Sequence, residues 1–224
     1  MKLKFLSLAV IVAFSALAFV SFEVGGETAQ AKAFAARFAD GKLTAEESTG
    51  SFELDPNHSH IGFRITHMGL AEVPGAFRDF TGTIVYNGKD ASKSSVNFTA
   101  KVKSVDTGVD RRDGHLRSKD FFEVETFPDM TFKSTKVEKK GKDWLVTGDF
   151  MMKGVTKQIS FPFTVVGFKK DAKGAVKMGV TAETSINRRD FGVNYGGNMP
   201  DGTPMLSDNI AVVLQLECAM QKAQ

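Results

Sequence analysis

The sequence predicts an all-β fold in which about eight antiparallel strands close on themselves, with one short helical insert between two strand sets. Three observations carry this expectation. From Phe52 onward, apolar and polar residues alternate with a period of two, the spacing of half-buried strands. Turn signals such as Asn87-Gly88 and Asp171-Ala172-Lys173-Gly174 separate the alternating runs. The alternation then breaks over 111–122, where Arg111-Arg112-Asp113-Gly114-His115-Leu116-Arg117-Ser118 leads to Phe121-Phe122. A closed sheet of this strand number is just wide enough to be filled by its own side chains or to hold one ligand.

The elements follow in order. Met1-Lys2-Leu3-Lys4 and the apolar run from Phe5 to Val20 read as a secretory signal, with cleavage expected after Ala33 and residues 1–33 removed. An uncleaved anchor stays open as the alternative, whereas a lipid anchor on an N-terminal cysteine is excluded because the single cysteine is Cys218. Residues 34–51, rich in Ala, Gly, Thr, Ser and Glu, read as a linker, and residues 52–219 as one barrel domain. Strand expectations begin with Phe52-Glu53-Leu54-Asp55. The next run, His58 to Met68, carries Ile61, Phe63 and Ile65 on one face. Val73-Pro74-Gly75 reads as a turn. Strands follow over Phe80 to Tyr86 and Val96 to Lys103, and the insert comes next as a helix plugging one end with Leu116, Phe121 and Phe122. Met130 to Glu138, Trp144 to Phe150, Ile159 to Val165, Val176 to Ala182 and Ile210 to Leu216 complete the set.

Charge and composition exclude several classes. Removing 1–33 takes away three lysines and two glutamates, so the formal charge falls from +3 to +2, and acids and bases are interleaved throughout. No polyanion-binding footprint results, and no nucleic-acid partner is expected. One cysteine allows no internal disulfide, so folding rests on apolar burial, and Cys218 reads as a small buried hydrophobe on the last strand.

The chemistry-bearing residues admit more than one reading. Phe63, Phe98, Phe132, Trp144, Phe150, Phe161 and Phe163 recur on single strand faces, which suits a filled core or the wall of a ligand cavity. His58 and His60 share a strand face at a spacing that suits zinc. His67 has the opposite parity, and no acid or cysteine completes the set, so no metal and no cofactor are expected. An enzyme would use His115 with Asp113 or Asp120 near Arg112, Arg117, Arg188 and Arg189. No nucleophile elbow, phosphate loop or metal motif supports a reaction class. The simpler account has Asp113 capping the helix and the arginines holding strand ends. Residues 191–208, with Tyr195, Met199 and Met205, form a long connection that reads as a lid or as a plain surface loop.

Taken together, His58-Ser59, His67, Ser104-Val105-Asp106-Thr107, Arg112-Asp113-Gly114-His115-Leu116-Arg117-Ser118, Phe121-Phe122, Phe127-Pro128, Gly148, Gly154-Val155-Thr156 and Asn187-Arg188-Arg189-Asp190-Phe191-Gly192 resemble the YceI-like family from about Phe52 to Glu217. The resemblance implies an extended lipocalin-like antiparallel barrel, secreted to the bacterial periplasm, which binds a polyisoprenoid or isoprenoid-quinone lipid for transport or storage and is not an enzyme. Fatty acids or amides, and a lipid-modifying enzyme using His115, are its alternatives. Under it, Ile61, Phe63, Ile65, Phe98, Phe132, Trp144, Phe150, Phe161 and Phe163 are expected to line the cavity. Arg112, Asp113, His115, Arg188 and Asp190 are expected at its polar end. Transient membrane contact and a homodimer are compatible with it.

Overall fold

A computed structural model describes residues 43–141 and 143–221. The expected signal segment 1–33 and the first part of the expected linker lie outside the described residues. The rest of that linker joins the fold: Thr44 and Glu47 close a turn on each other, and strand β1, Gly50–Leu54, begins before Phe52.

The remaining strands are β2 (His60–His67), β3 (Ala71–Phe77), β4 (Phe80–Tyr86), β5 (Ser95–Lys101), β6 (Val105–Asp106), β7 (Asp129–Lys140), β8 (Asp143–Met152), β9 (Val155–Lys170), β10 (Val176–Asn187) and β11 (Asn209–Met220). Among the described residues one α-helix, α1 (Asp110–Arg117), follows β6. All the strand pairs are antiparallel, and β1-β4-β5-β7-β8-β9-β10-β11 closes into an eight-stranded ring through the pairing of β1 with β11. At about 3.3 Å per residue, strands of 12 residues such as β10 and β11 span about 40 Å, which makes the barrel long for its girth.

Strands β1 and β2 lie end to end along one edge of β11. β1 pairs with Cys218 to Met220, and β2 pairs with Ala211 to Gln215. Between them the chain steps outward over 55–59 and is tied back by Ser59, whose Oγ donates to the Glu217 carbonyl and accepts from the Glu217 N–H. Beyond β2 the sheet continues into β3 and β6.

The expected turn at Val73-Pro74-Gly75 is instead the middle of β3, and the chain reverses earlier, at 68–70. Pro74 is tolerated because β6 covers β3 only at Ala76 and Phe77, leaving the proline on an unpaired edge. Gly75 has a packing reason: a Cβ there would overlap the Phe63 ring, which rests on bare backbone. The ladder slips between Ser134 and Lys136, opposite Gly148, and again between Gly179 and Val180. Such irregularities raise local twist and help a long sheet to curl.

Candidate functional site

The inward faces of the strands enclose a cavity of about 500 Å³. Ile61, Phe63 and Ile65 from β2, Phe98 from β5, Phe132 from β7, Phe150 from β8, and Phe161 and Phe163 from β9 line it, as their parity implies. Trp144 does not. It is buried beyond the cavity floor, 5.4 Å from the ring of Tyr86 and 5.8 Å from that of Phe163, with Lys139 Nζ 5.6 Å from its own ring. Residue parity set its face correctly; its height along the barrel put it in a filled layer. The wall contributed by β11, through Ile210, Val212, Leu214 and Leu216, is legible in the sequence as an alternating strand face, but that pattern carries no mark of a cavity.

Polar side chains enter the lining at few places: His67, Thr107, Arg112, His115, Thr184, Arg188 and Tyr195. Arg112 and His115 come from α1 and Tyr195 from the loop 191–208, and with His67, Thr107 and Arg188 they mark the mouth. Helix α1 has little local reason to exist. It carries Gly114 in its interior, and its N-cap position, Val109, offers no side-chain acceptor. Its charges do suit the helix dipole, with Asp110 and Asp113 in the first turn and Arg117 in the last. Tertiary hydrogen bonds hold it. Asp113, 4 % exposed, accepts from Thr107 N–H (2.9 Å) and from Thr107 Oγ1 rather than capping the helix. Arg112 Nε donates to Thr107 Oγ1 at 2.7 Å, and Arg117 donates to the carbonyls of Lys103 and Val105 at 2.7 Å each. So anchored, the helix turns His115, Leu116 and Arg112 toward the cavity, with Phe121 and Phe122 beside them.

His115 Nε2 lies 3.1 Å from Asp120 Oδ2, and its ring meets Tyr195 edge-on at 4.8 Å. Phe121 completes the group, 4.7 Å from Tyr195 and 5.0 Å from His115. Tyr195 thereby ties the 191–208 loop to the helix across the mouth. Met205 of the same loop lines the cavity, whereas Met199 does not. Arg188, 3 % exposed, organises this loop from beneath: Nη1 donates to the carbonyls of Val193 (2.7 Å) and Tyr195 (2.8 Å), Nε to Ser207 (3.0 Å), and Nη2 to Leu206 and to the Asp208 carboxylate. Burial, and secondarily the neighbouring Arg189, pull its guanidinium below the ordinary arginine value, while Asp208 opposes them. Asp190, expected at the polar end, lies off the cavity and pairs with Lys157 at 3.1 Å.

The strand expected from His58 begins only at His60, so His58 does not share a strand face with His60. His67 lines the mouth, while His58 sits in the turn before β2 and pairs with Asp55 at 2.9 Å. Asp55, His58 and Glu217 converge closely enough to share a cation, but Lys177 Nζ is 3.6 Å from Asp55 and 3.4 Å from Glu217 and already supplies positive charge there. Cys218 is fully buried, and desolvation pushes its thiol up to about 12, consistent with a core residue.

A closed antiparallel barrel that stays hollow, with its polar groups gathered at one mouth, is a lipocalin-like barrel. More narrowly, the chain belongs to the YceI-like family, whose domain matches residues 52–218. It is 39 % identical over 139 residues to a UPF0312 protein of Photorhabdus laumondii, covering 62 % of this chain and 72 % of that one. Among solved structures it is similar to a Campylobacter jejuni YceI protein, with 30 % identity, a TM-score of 0.60, and coverage of 70 % of this chain and 90 % of that one. A polyisoprenoid binding domain from Saccharophagus degradans, implicated in plant cell wall breakdown, shares the fold at 18 % identity and a TM-score of 0.57, over 77 % of this chain and all of that domain.

Proposed function

We propose that this protein binds a long apolar lipid of isoprenoid type in the barrel and carries or stores it in the periplasm. The observation that carries the reading is the cavity itself: about 500 Å³ of space walled by aliphatic and aromatic side chains, with polar groups confined largely to the mouth. That volume lies within the range of sites that enclose one small-molecule ligand. The tail lies against Phe98, Phe132, Phe161 and the β11 face. The head sits near Arg112, His115, His67 and Tyr195. The polyisoprenoid binding domain of Saccharophagus degradans, which shares this fold, supports the choice of ligand class.

Energetics favour a shuttle over a sink. Each methylene taken from water contributes about 0.8 kcal/mol. A tail drawn from a bilayer is already in hydrocarbon, so most of that gain cancels and packing and head contacts set the net affinity. His115 and Asp120 form an imidazole–carboxylate pair, but Thr107, the hydroxyl beside Arg112 at the mouth, spends its oxygen on Asp113 and Arg112 and is not poised as a nucleophile. The mouth thus suits binding without turnover.

Mass spectrometry of an organic extract of the protein, expressed with its own leader in a bacterial periplasm and purified without detergent, tests this directly. One prenyl lipid at near-equimolar amount is the expected result; a folded protein with an empty extract contradicts it.

A further inference from the structure

The turn between β2 and β3, Met68-Gly69-Leu70, stands at the cavity mouth. His67, just before it, lines the cavity and bridges to Leu206, and Met68 N–H donates to the carbonyl of Met205, another lining residue, at 2.9 Å. The backbone is left-handed at two successive residues, Met68 (φ 53°) and Gly69 (φ 67°), and Leu70 N–H closes the turn on the His67 carbonyl at 3.0 Å. Where a tight turn in water needs two positive φ angles, Asn-Gly or Asp-Gly is favoured, because the first residue tolerates that backbone and is well hydrated. Methionine has neither advantage. It is followed by Leu70, 84 % exposed, the most exposed of the large hydrophobic residues among those described. On the same rim Tyr195 is 40 % exposed.

We propose that this apolar lip, Met68 and Leu70, docks the cavity mouth on the surface of a lipid bilayer. The inference rests on the lipid-carrier reading: a tail moving between bilayer and cavity must cross this rim, and each methylene that has to pass through water slows the crossing about fourfold. An apolar surface continuous with the lining removes that step. The charges nearest the lip are spent on one another, with Arg64 paired to both Glu72 and Glu183 and one negative charge left over, so a zwitterionic surface suffices and a strongly anionic partner finds no complement there. Few side chains insert, and since even a single acyl chain gives only marginal, reversible membrane binding, the contact is brief, as exchange requires.

The test measures uptake of a fluorescent polyprenol from phosphatidylcholine vesicles by the full protein and by Leu70→Ser and Met68→Asn, neither of which lines the cavity. The uptake rate of the unaltered protein is expected to rise in proportion to vesicle concentration. Leu70→Ser slows it about tenfold with the same final amount bound, and Met68→Asn slows it while keeping or raising the thermal midpoint, because asparagine fits the left-handed turn. A rate indifferent to vesicle concentration, or to both substitutions, overturns docking. So does light scattering that shows a dimer dispersed by Leu70→Ser, which would mean that a second copy covers the lip. If no variant takes up polyprenol, the carrier reading is what fails. Flotation of the lipid-free protein with the same vesicles then decides docking by itself: weaker flotation of both variants supports it, and equal flotation overturns it.

Discussion

The two ends of the barrel are built from the same alternation and come out differently. At the β1 end the interior is solid. Phe52 and Cys218 are completely buried with Met178 beside them, and a chain of rings runs from Trp144 to Tyr86 (5.4 Å), Tyr86 to Phe168 (5.0 Å) and Phe168 to Phe52 (5.9 Å). Toward the other end Phe63, Phe98 and Leu214 face inward yet are only partly buried, because they border empty space. The wall accounts for the difference. Where β1 closes against β11 the ring has eight strands, whereas farther along β2 takes its place and brings β3 and β6 with it. A wider circumference sets facing walls farther apart, and side chains of the same size no longer meet.

Substitutions sharpen this contrast. Phe52→Ala, in the filled end, is expected to cost about 4 kcal/mol in urea unfolding, since it opens a void where there is none. Arg188→Leu should cost about 3 kcal/mol, because it strands the carbonyls of Val193, Tyr195 and Ser207. Its signature is loss of amide hydrogen-exchange protection confined to 193–207. Phe98→Ala, on the cavity wall, is expected to cost only about 1–2 kcal/mol, because one side of the ring has no packing to lose. If Phe52→Ala and Phe98→Ala cost the same, the distinction between solid and hollow ends collapses. Leu214→Trp should fill space without crowding, changing stability by less than about 1 kcal/mol while abolishing recovery of lipid in an organic extract.

The smallest effect is electrostatic and belongs to the outer turn at 55–58. Asp55 is held below 3.8, chiefly by its hydrogen bond with His58, and His58 is raised above 6.5 by the same contact. A depressed carboxylate contributes stability above its unfolded value and loses it as the pH falls through the folded one. A raised imidazole contributes fully below 6.5 and loses it as the pH rises through its folded value. The urea midpoint should therefore fall slightly on the alkaline side of 6.5, and His58→Gln should flatten that limb. An unchanged slope would remove the pair from the account.

The Arg112-Asp113-Gly114-His115-Leu116-Arg117-Ser118 motif shows how site residues divide. As a sequence it looks like a reactive cluster. In the fold Arg112, Asp113 and Arg117 chiefly fasten the helix to 103–107, Ser118 Oγ closes its end on the His115 carbonyl, and His115 and Leu116 reach the cavity. Arg188 likewise spends its donors on loop carbonyls and Asp208.

Period-two alternation determined, without any tertiary information, that this chain makes a sheet, which face of each strand turns inward, and that a charged helical piece interrupts it. Those properties are local, set by the pleat and by turn chemistry between neighbouring residues. Only the tertiary structure decided that β1 and β2 share one edge of β11, that Pro74 lies inside a strand, that Trp144 and Phe98 have different surroundings despite the same parity, and that Leu70 stands at the cavity mouth. Those properties depend on what lies across the barrel. That is a matter of circumference and stagger between residues more than a hundred positions apart, and a single strand's pattern carries no record of it.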